Sequence, residues 1–462
     1  MSEDNHTTRP GRLAAWRRAL RPHHGIALVL FLGMVLVYNN SVPGGFNTVY
    51  ENRRFFDSDG EFITRQFNQG KTFTHNDHLL YHVLGRLLYD HADRVPFVAQ
   101  NPVSAHKALS VVAGALGITL LFLFGRRITG RSFPALAAAL WIGGCSGYWF
   151  FSATIDTYLP NLCAGILALG LALRCLRDQR LSSYALLGAA MGLAFLLRTD
   201  SFLLGSLILV VAAGPRDRIP ARLAVCAAAG ALISLAGYGW LAHTFYSVPP
   251  TDLVAWALGH VNRPEAAKEW GVLSNLSLSS LHLAALNQSL YGVILPGLYH
   301  VRSLQVITVM GTVKTGGPVL WIYLVFMVLV LGVALVRAGR ALKSRFWPPA
   351  VMMALAILWF LSRACFYAWW DPKDPFLFAV LSLPALWLPL LLFMAAGHEE
   401  GFRVQGSGDD ILDTRRLDFP NPEPRTLISW IRRNGPACLV FLMAILIWIH
   451  NLLAMVIPLR TL

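Results

Sequence analysis

The chain has 462 residues, of which 55% are hydrophobic and only 14% charged, with a mean hydropathy of +0.51. Soluble domains carry about a quarter of their residues as charges, so this composition excludes an ordinary soluble protein and indicates a polytopic membrane protein. The formal charge of +14 would suggest nucleic acid in a soluble chain, but here the basic residues fall in short clusters between apolar runs, where they act as topology signals, and nucleic acid is excluded as a partner.

The basic segment 1–24 carries Arg9, Arg12, Arg17, Arg18 and Arg21. It precedes an uncharged run, Gly25 to Phe46, that lacks a small-x-small cleavage site after it. The run is read as an uncleaved first span with its N-terminus in the cytoplasm. Further spans are expected at about 106–125, 133–151, 158–174, 182–197, 201–214, 221–243, 317–336, 347–363, 375–396 and 436–458, about eleven in all. The 201–214 segment is the shortest. Every second connection is basic: Arg126, Arg127 and Arg131; Arg174, Arg177 and Arg180; Arg216, Arg218 and Arg222; Arg337, Arg340, Lys343 and Arg345; Arg403, Arg415, Arg416, Arg432 and Arg433. These lie on the cytoplasmic side. The expected organisation is an all-α bundle over 25–396 with two long external loops, 45–105 and 244–316, then a cytoplasmic linker 397–434 with Gly-Ser and Pro-rich stretches, and a last span in 435–462. In the second loop, Asp252–Leu258 and Leu281–Leu286 are too short to cross a bilayer and suit an interfacial position.

Long ordered loops commonly carry function. The first contains Asp57-Ser58-Asp59-Gly60-Glu61, three carboxylates within five positions. Ser58 and Glu61 fit a capping box, which would start a helix. That reading leaves Asp57 and Asp59 unexplained, and a helix begun at Asp57 would set Asp57 and Glu61 on one face as a repulsive pair unless a cation, proton or substrate hydroxyl lies between them. Three other polar groups fall on the external side: Thr154-Ile155-Asp156-Thr157-Tyr158 with Asn161; Arg198-Thr199-Asp200-Ser201, where Arg198 and Asp200 could simply pair; and Cys365 to Asp374, with Arg363 just before it. Each has a structural explanation alone; together they could build one site.

His78 and His82 share a helical face at i and i+4, a spacing able to chelate zinc, but the glutamate of a metalloprotease helix is missing and ordinary polar contacts are the better reading. The six cysteines lack paired spacing and read as small core residues. No phosphate-binding glycine loop or GxSxG motif occurs in the sequence.

The first loop, the following His-containing segment and the helix returning to the membrane resemble the GT-C superfamily of polytopic glycosyltransferases, in the branch related to protein O-mannosyltransferases. Gly60-Glu61-Phe62 is similar to that branch's Asp-Ser-Gly-Glu loop, with one extra residue after Asp57. Asp156-Thr157-Tyr158 with Asn161 is similar to its second external turn, with Asp in place of Glu. The likeness covers about residues 25–215; His75-Asn76-Asp77 departs from the branch's His-Pro-Pro.

This resemblance implies transfer of a sugar from a polyprenyl-phosphate-linked donor to a glycan, lipid or protein hydroxyl at the external face of a bacterial inner membrane. Asp57 would be the base, with Asp59 its rival and Glu61 orienting the base or the acceptor. His75, His78, Asp156, Tyr158, Arg198, Arg363 and Lys373 would contact substrate. No cofactor is named, and a divalent cation is left open. The alternatives from the same residues are a transporter or lipid flippase, in which intramembrane charges mark a route, and a non-catalytic assembly subunit.

Overall fold

The computed structural model describes residues 22–41, 78–95, 98–212, 216–258, 275–294, 317–343, 347–370, 377–395 and 427–457. All regular structure among them is helical. In chain order the α-helices are α1 (Pro22–Asn40), α2 (Leu79–Asp90), α3 (Pro102–Thr129), α4 (Ser132–Gly144), α5 (Ser146–Ala153), α6 (Tyr158–Asp178), α7 (Leu181–Leu197), α8 (Leu209–Ala212), α9 (Ile219–Ala231), α10 (Gly237–Tyr246), α11 (Leu253–Leu258), α12 (Leu278–Leu286), α13 (Gly317–Lys343), α14 (Trp347–Trp370), α15 (Leu383–Met394) and α16 (Leu427–Asn451).

Seven helical stretches among the described residues are long and apolar enough to cross a membrane, α9 and α10 joining into one through a π turn, and four shorter apolar segments accompany them. Each expected span overlaps one of these eleven segments. The chain is an integral membrane protein. The last helix begins at Leu427, inside the stretch expected to be linker. Both short pieces, Asp252–Leu258 and Leu281–Leu286, overlap helices α11 and α12.

The helix ends follow from local chemistry. Asn101 caps α3 by accepting the Ser104 amide at 2.7 Å, Pro102 starts the helix where no amide partner is needed, and Gly130 ends it at φ 68° with Arg126 and Arg127 in the last turn. α7 and α9 pack closely through glycines. A methyl group on Gly188 would sit 2.0 Å from the Cys226 carbonyl oxygen, and one on Gly192 2.7 Å from that of Gly230. Small residues at this spacing let membrane helices approach backbone to backbone.

Two expected spans depart from simple helices. The 133–151 segment is broken at Cys145 into α4 and α5. The amides exposed by the break are satisfied from the segment after α12: Ser146 donates to Val293 (3.0 Å) and Gly147 to Gly292 (2.9 Å). Asn451 of α16 donates to the carbonyls of both Gly144 and Val293. A break inside a bundle is tolerated when its polar groups find such partners. The 201–214 segment is a 3-10 helix, Thr199–Ile208, followed by α8; its larger rise, about 2.0 Å per residue, lets a short sequence reach further.

The core is built by α3 at the centre, flanked by α1, α4 and α6, with α13, α14 and α15 packed together beside α4 and α16. α5 is buried along its whole length. It therefore delivers the turn after it, Thr154 to Thr157, into the interior of the bundle.

Candidate functional site

Thr154, Asp156 and Thr157 are almost completely buried. Burial of polar groups is costly without partners; Asp156 and Thr157 have them, whereas the Thr154 hydroxyl has none among the described residues. Asp156 Oδ1 accepts from the Tyr158 amide and from Thr157 Oγ1, both at 3.2 Å, which fixes the start of α6. Ser110 of α3 lies 3.4 Å from the Asp156 carbonyl. One turn into α6, Asn161 donates to Asp200 Oδ1 (3.4 Å) and accepts from Ser201 Oγ (2.6 Å).

Asp200 is the hub. It opens the 3-10 segment after α7, and its Oδ2 lies 3.1 Å from Arg198 Nε and 3.1 Å from Arg363 Nη1 of α14. The side chains of Asp200, Arg198 and Arg363 are 7%, 11% and 3% exposed, so both ion pairs are removed from solvent. Arg363 Nη1 also reaches the Tyr367 hydroxyl at 3.3 Å. Arg198 Nη1 donates to Thr157 Oγ1 (3.0 Å), and its guanidinium carbon lies 4.2 Å from the centre of the Tyr158 ring. Burial works against the Arg198 cation, but Tyr158, Asp200 and Asp156 outweigh it and hold its pKa well above the usual arginine value.

The two arginines thus meet one carboxylate, and two tyrosines stand beside them. Arg198 Nη2 and the second terminal nitrogen of Arg363 make no hydrogen bond to other described residues. Planar guanidiniums suit bidentate binding of phosphate oxygens.

His78, at the N-terminal end of α2, is close enough to act electrostatically on Asp200. His78 and His82 lie with ring centroids 6.3 Å apart, and among the described residues no three His, Cys, Asp or Glu side chains come together as a metal group. The Tyr246 hydroxyl donates to Leu79 O at 3.3 Å, tying α10 to the start of α2.

Of the residues proposed from sequence, Asp156, Tyr158, Arg198 and Arg363 are brought together, with His78 at the edge of the group. Asp57, Asp59, Glu61, His75 and Lys373 lie outside the described residues. Asp200 and Tyr367 are additions. Asp200 had a visible signal, an acid two positions after Arg198 in a polar turn between apolar runs; Tyr367 lay within the Cys365 to Asp374 group, but its role comes from a contact with Arg363.

Residues 99–240 match the family model described as dolichyl-phosphate-mannose-protein mannosyltransferase. No curated protein matches the chain. The solved structures similar to it include ArnT from Cupriavidus metallidurans bound to undecaprenyl phosphate, with 16% identity, a TM-score of 0.46, and coverage of 80% of this chain and 59% of that one. The apo form of the same protein gives 14% identity, a TM-score of 0.44, and coverage of 81% and 60%. The chain therefore spans about three fifths of the length of those structures. The matched stretch, residues 99–240, is similar to that mannosyltransferase family model and contains Asp156, Tyr158, Arg198 and Asp200.

Proposed function

We propose that the protein is a membrane glycosyltransferase that moves a sugar from a polyprenyl-phosphate-linked donor to an acceptor hydroxyl at the external face of a bacterial inner membrane, with its N-terminus cytoplasmic. The observation that carries this reading is the meeting of Arg198 and Arg363 on Asp200, at the end of the bundle where Asp156 and Tyr158 are also held. A phosphate group is the ligand whose charge and geometry such a pair suits. A donor with an isoprenoid tail also accounts for a site set among membrane spans.

In this reading the acceptor oxygen attacks the anomeric carbon. The bond from that carbon to the phosphate oxygen breaks, and its electron pair stays on the phosphate. Arg198 and Arg363 stabilise the charge that develops there, with His75, His78 and Lys373 as further donors. The acceptor proton passes to a carboxylate of the first external loop, Asp57 with Asp59 as the rival, while Glu61 orients the base or the acceptor. Asp156 and Tyr158 hold substrate beside Arg198. Residues 25–396 form the working bundle with external loops 45–105 and 244–316, followed by the linker and the last span. The acceptor is a glycan, lipid or protein hydroxyl.

The test is transfer from a radiolabelled polyprenyl-phosphate sugar in proteoliposomes. Asp57→Asn, Asp59→Asn and Glu61→Gln are compared with wild type. At least one Asp variant is expected to lose about 100-fold or more in rate; full activity in all three removes the proposed base. Movement of intact labelled lipid across the bilayer without transfer would favour a flippase instead.

A further inference from the structure

The acid at the centre of the arginine pair is a puzzle for a site that binds phosphate. Asp200 Oδ2 accepts from Arg363 Nη1 and forms an ion pair with Arg198 Nε, at 3.1 Å in both cases. Its other oxygen, Oδ1, accepts from Asn161 at 3.4 Å, and Ser201 steadies that asparagine by donating to its Oδ1 at 2.6 Å. An arginine pair built only for affinity would omit the acid.

We infer that Asp200 is a positioning residue that matches Arg198 and Arg363 to a singly charged phosphodiester and thereby speeds departure of the doubly charged phosphomonoester. The inference rests on the glycosyl-transfer reading. Two guanidiniums and one carboxylate sum to a single positive charge. The donor, a phosphodiester, carries one negative charge. When the sugar leaves, its former bond becomes a phosphate oxygen and the polyprenyl monoester bears about 1.5 to 2 negative charges near neutral pH. With Asp200 present, the added charge finds no added cation and meets a carboxylate held against the same nitrogens. Without Asp200, both arginines would be free to hold the product. Asp156 acts on Arg198 and His78 on Asp200, and both are the same in every variant compared, so neither alters the contrast made by changing Asp200 alone.

The prediction concerns the ratio of two affinities, which a merely structural role for Asp200 would not move. Full-length protein in nanodiscs is titrated at pH 8 with undecaprenyl phosphate and, separately, with its methyl ester, which keeps one charge. Asp200→Asn is expected to bind the monoester about tenfold tighter than wild type, and the methyl ester less than about threefold tighter. Asp200→Glu is expected to keep the wild-type ratio. Equal tightening of both probes, weaker binding of either, or an unchanged ratio in Asp200→Asn overturns the inference. Wild-type protein that binds neither probe instead refutes the glycosyl-transfer reading itself. Asp200→Ser, whose hydroxyl can still meet Asn161, replaces Asp200→Asn if that variant does not fold. If neither neutral variant folds while Asp200→Glu does, the carboxylate is a structural counter-ion and the inference falls.

Discussion

Replacing Arg363 by Gln removes one of the two cations on Asp200 while keeping a polar side chain near Tyr367. The Arg363–Asp200 contact is 3.1 Å, with side chains 3% and 7% exposed. At a charge separation of about 4 Å and an effective dielectric of about 20, the gross attraction is about 4 kcal/mol. The lost hydration of both groups offsets much of it, and the measurable quantity is the cost of breaking the pair, about 3–5 kcal/mol when a buried charge is left alone. Asp200 is not left alone, since Arg198 remains at 3.1 Å and Asn161 stays on its other oxygen. Arg363→Gln should therefore cost only about 2 kcal/mol, below the range for an orphaned charge. Asp200→Asn strips the carboxylate from two buried guanidiniums and should cost more, about 3–5 kcal/mol. In the double variant the two costs overlap, and the coupling energy should be about 1.5–3 kcal/mol. Unfolding of the four proteins in mixed micelles with rising SDS measures each value. Additivity within about 0.5 kcal/mol would show that the pair carries no coupling, and the electrostatic account of the site would be wrong.

Two further variants address how the site is held. Gly188→Ala puts a methyl group 2.0 Å from the Cys226 carbonyl oxygen, so α7 and α9 must separate and the end of α7 that carries Arg198 must move; a loss of about 1–3 kcal/mol in the same unfolding assay is expected, and wild-type stability would refute the close packing. Asp156→Asn keeps an oxygen for the Tyr158 amide but removes the negative charge facing Arg198. It should stay within about 1 kcal/mol of wild-type stability while transfer falls at least about tenfold; unchanged transfer would show that this charge has no part in the reaction.

The bundle was legible because a membrane span is a local property of the chain. Some twenty apolar residues satisfy their own backbone and need no distant partner to be recognised. The same is true of the caps of α3, written in Asn101, Pro102 and Gly130. Departures came where a distant segment intervened. The break at Cys145 is stabilised by Gly292, Val293 and Asn451, and nothing within 133–151 announces those partners. The turn at Asp156 looked like a brief external connection, yet α5 folds it into the core.

The site divides in the same way. The pairing of Arg198 with Asp200 was one of two readings of a polar turn, and it is the contact that forms. Arg363 was an external cation in the sequence. Its ion pair with Asp200 spans 163 positions, and only the packing of α14 against the 3-10 segment brings it there. Thr157 and Tyr158 acquire their relation to Arg198 through the same tertiary approach.

The most direct test of the account is release of polyprenyl phosphate from a labelled polyprenyl-phosphate sugar, measured in a single turnover with and without an acceptor. Wild-type protein should release it in step with sugar transfer, and the Arg198→Gln, Arg363→Gln double variant should be slower by about 1,000-fold. Release by the double variant at the wild-type rate would contradict the claim that these two guanidiniums bind the phosphate.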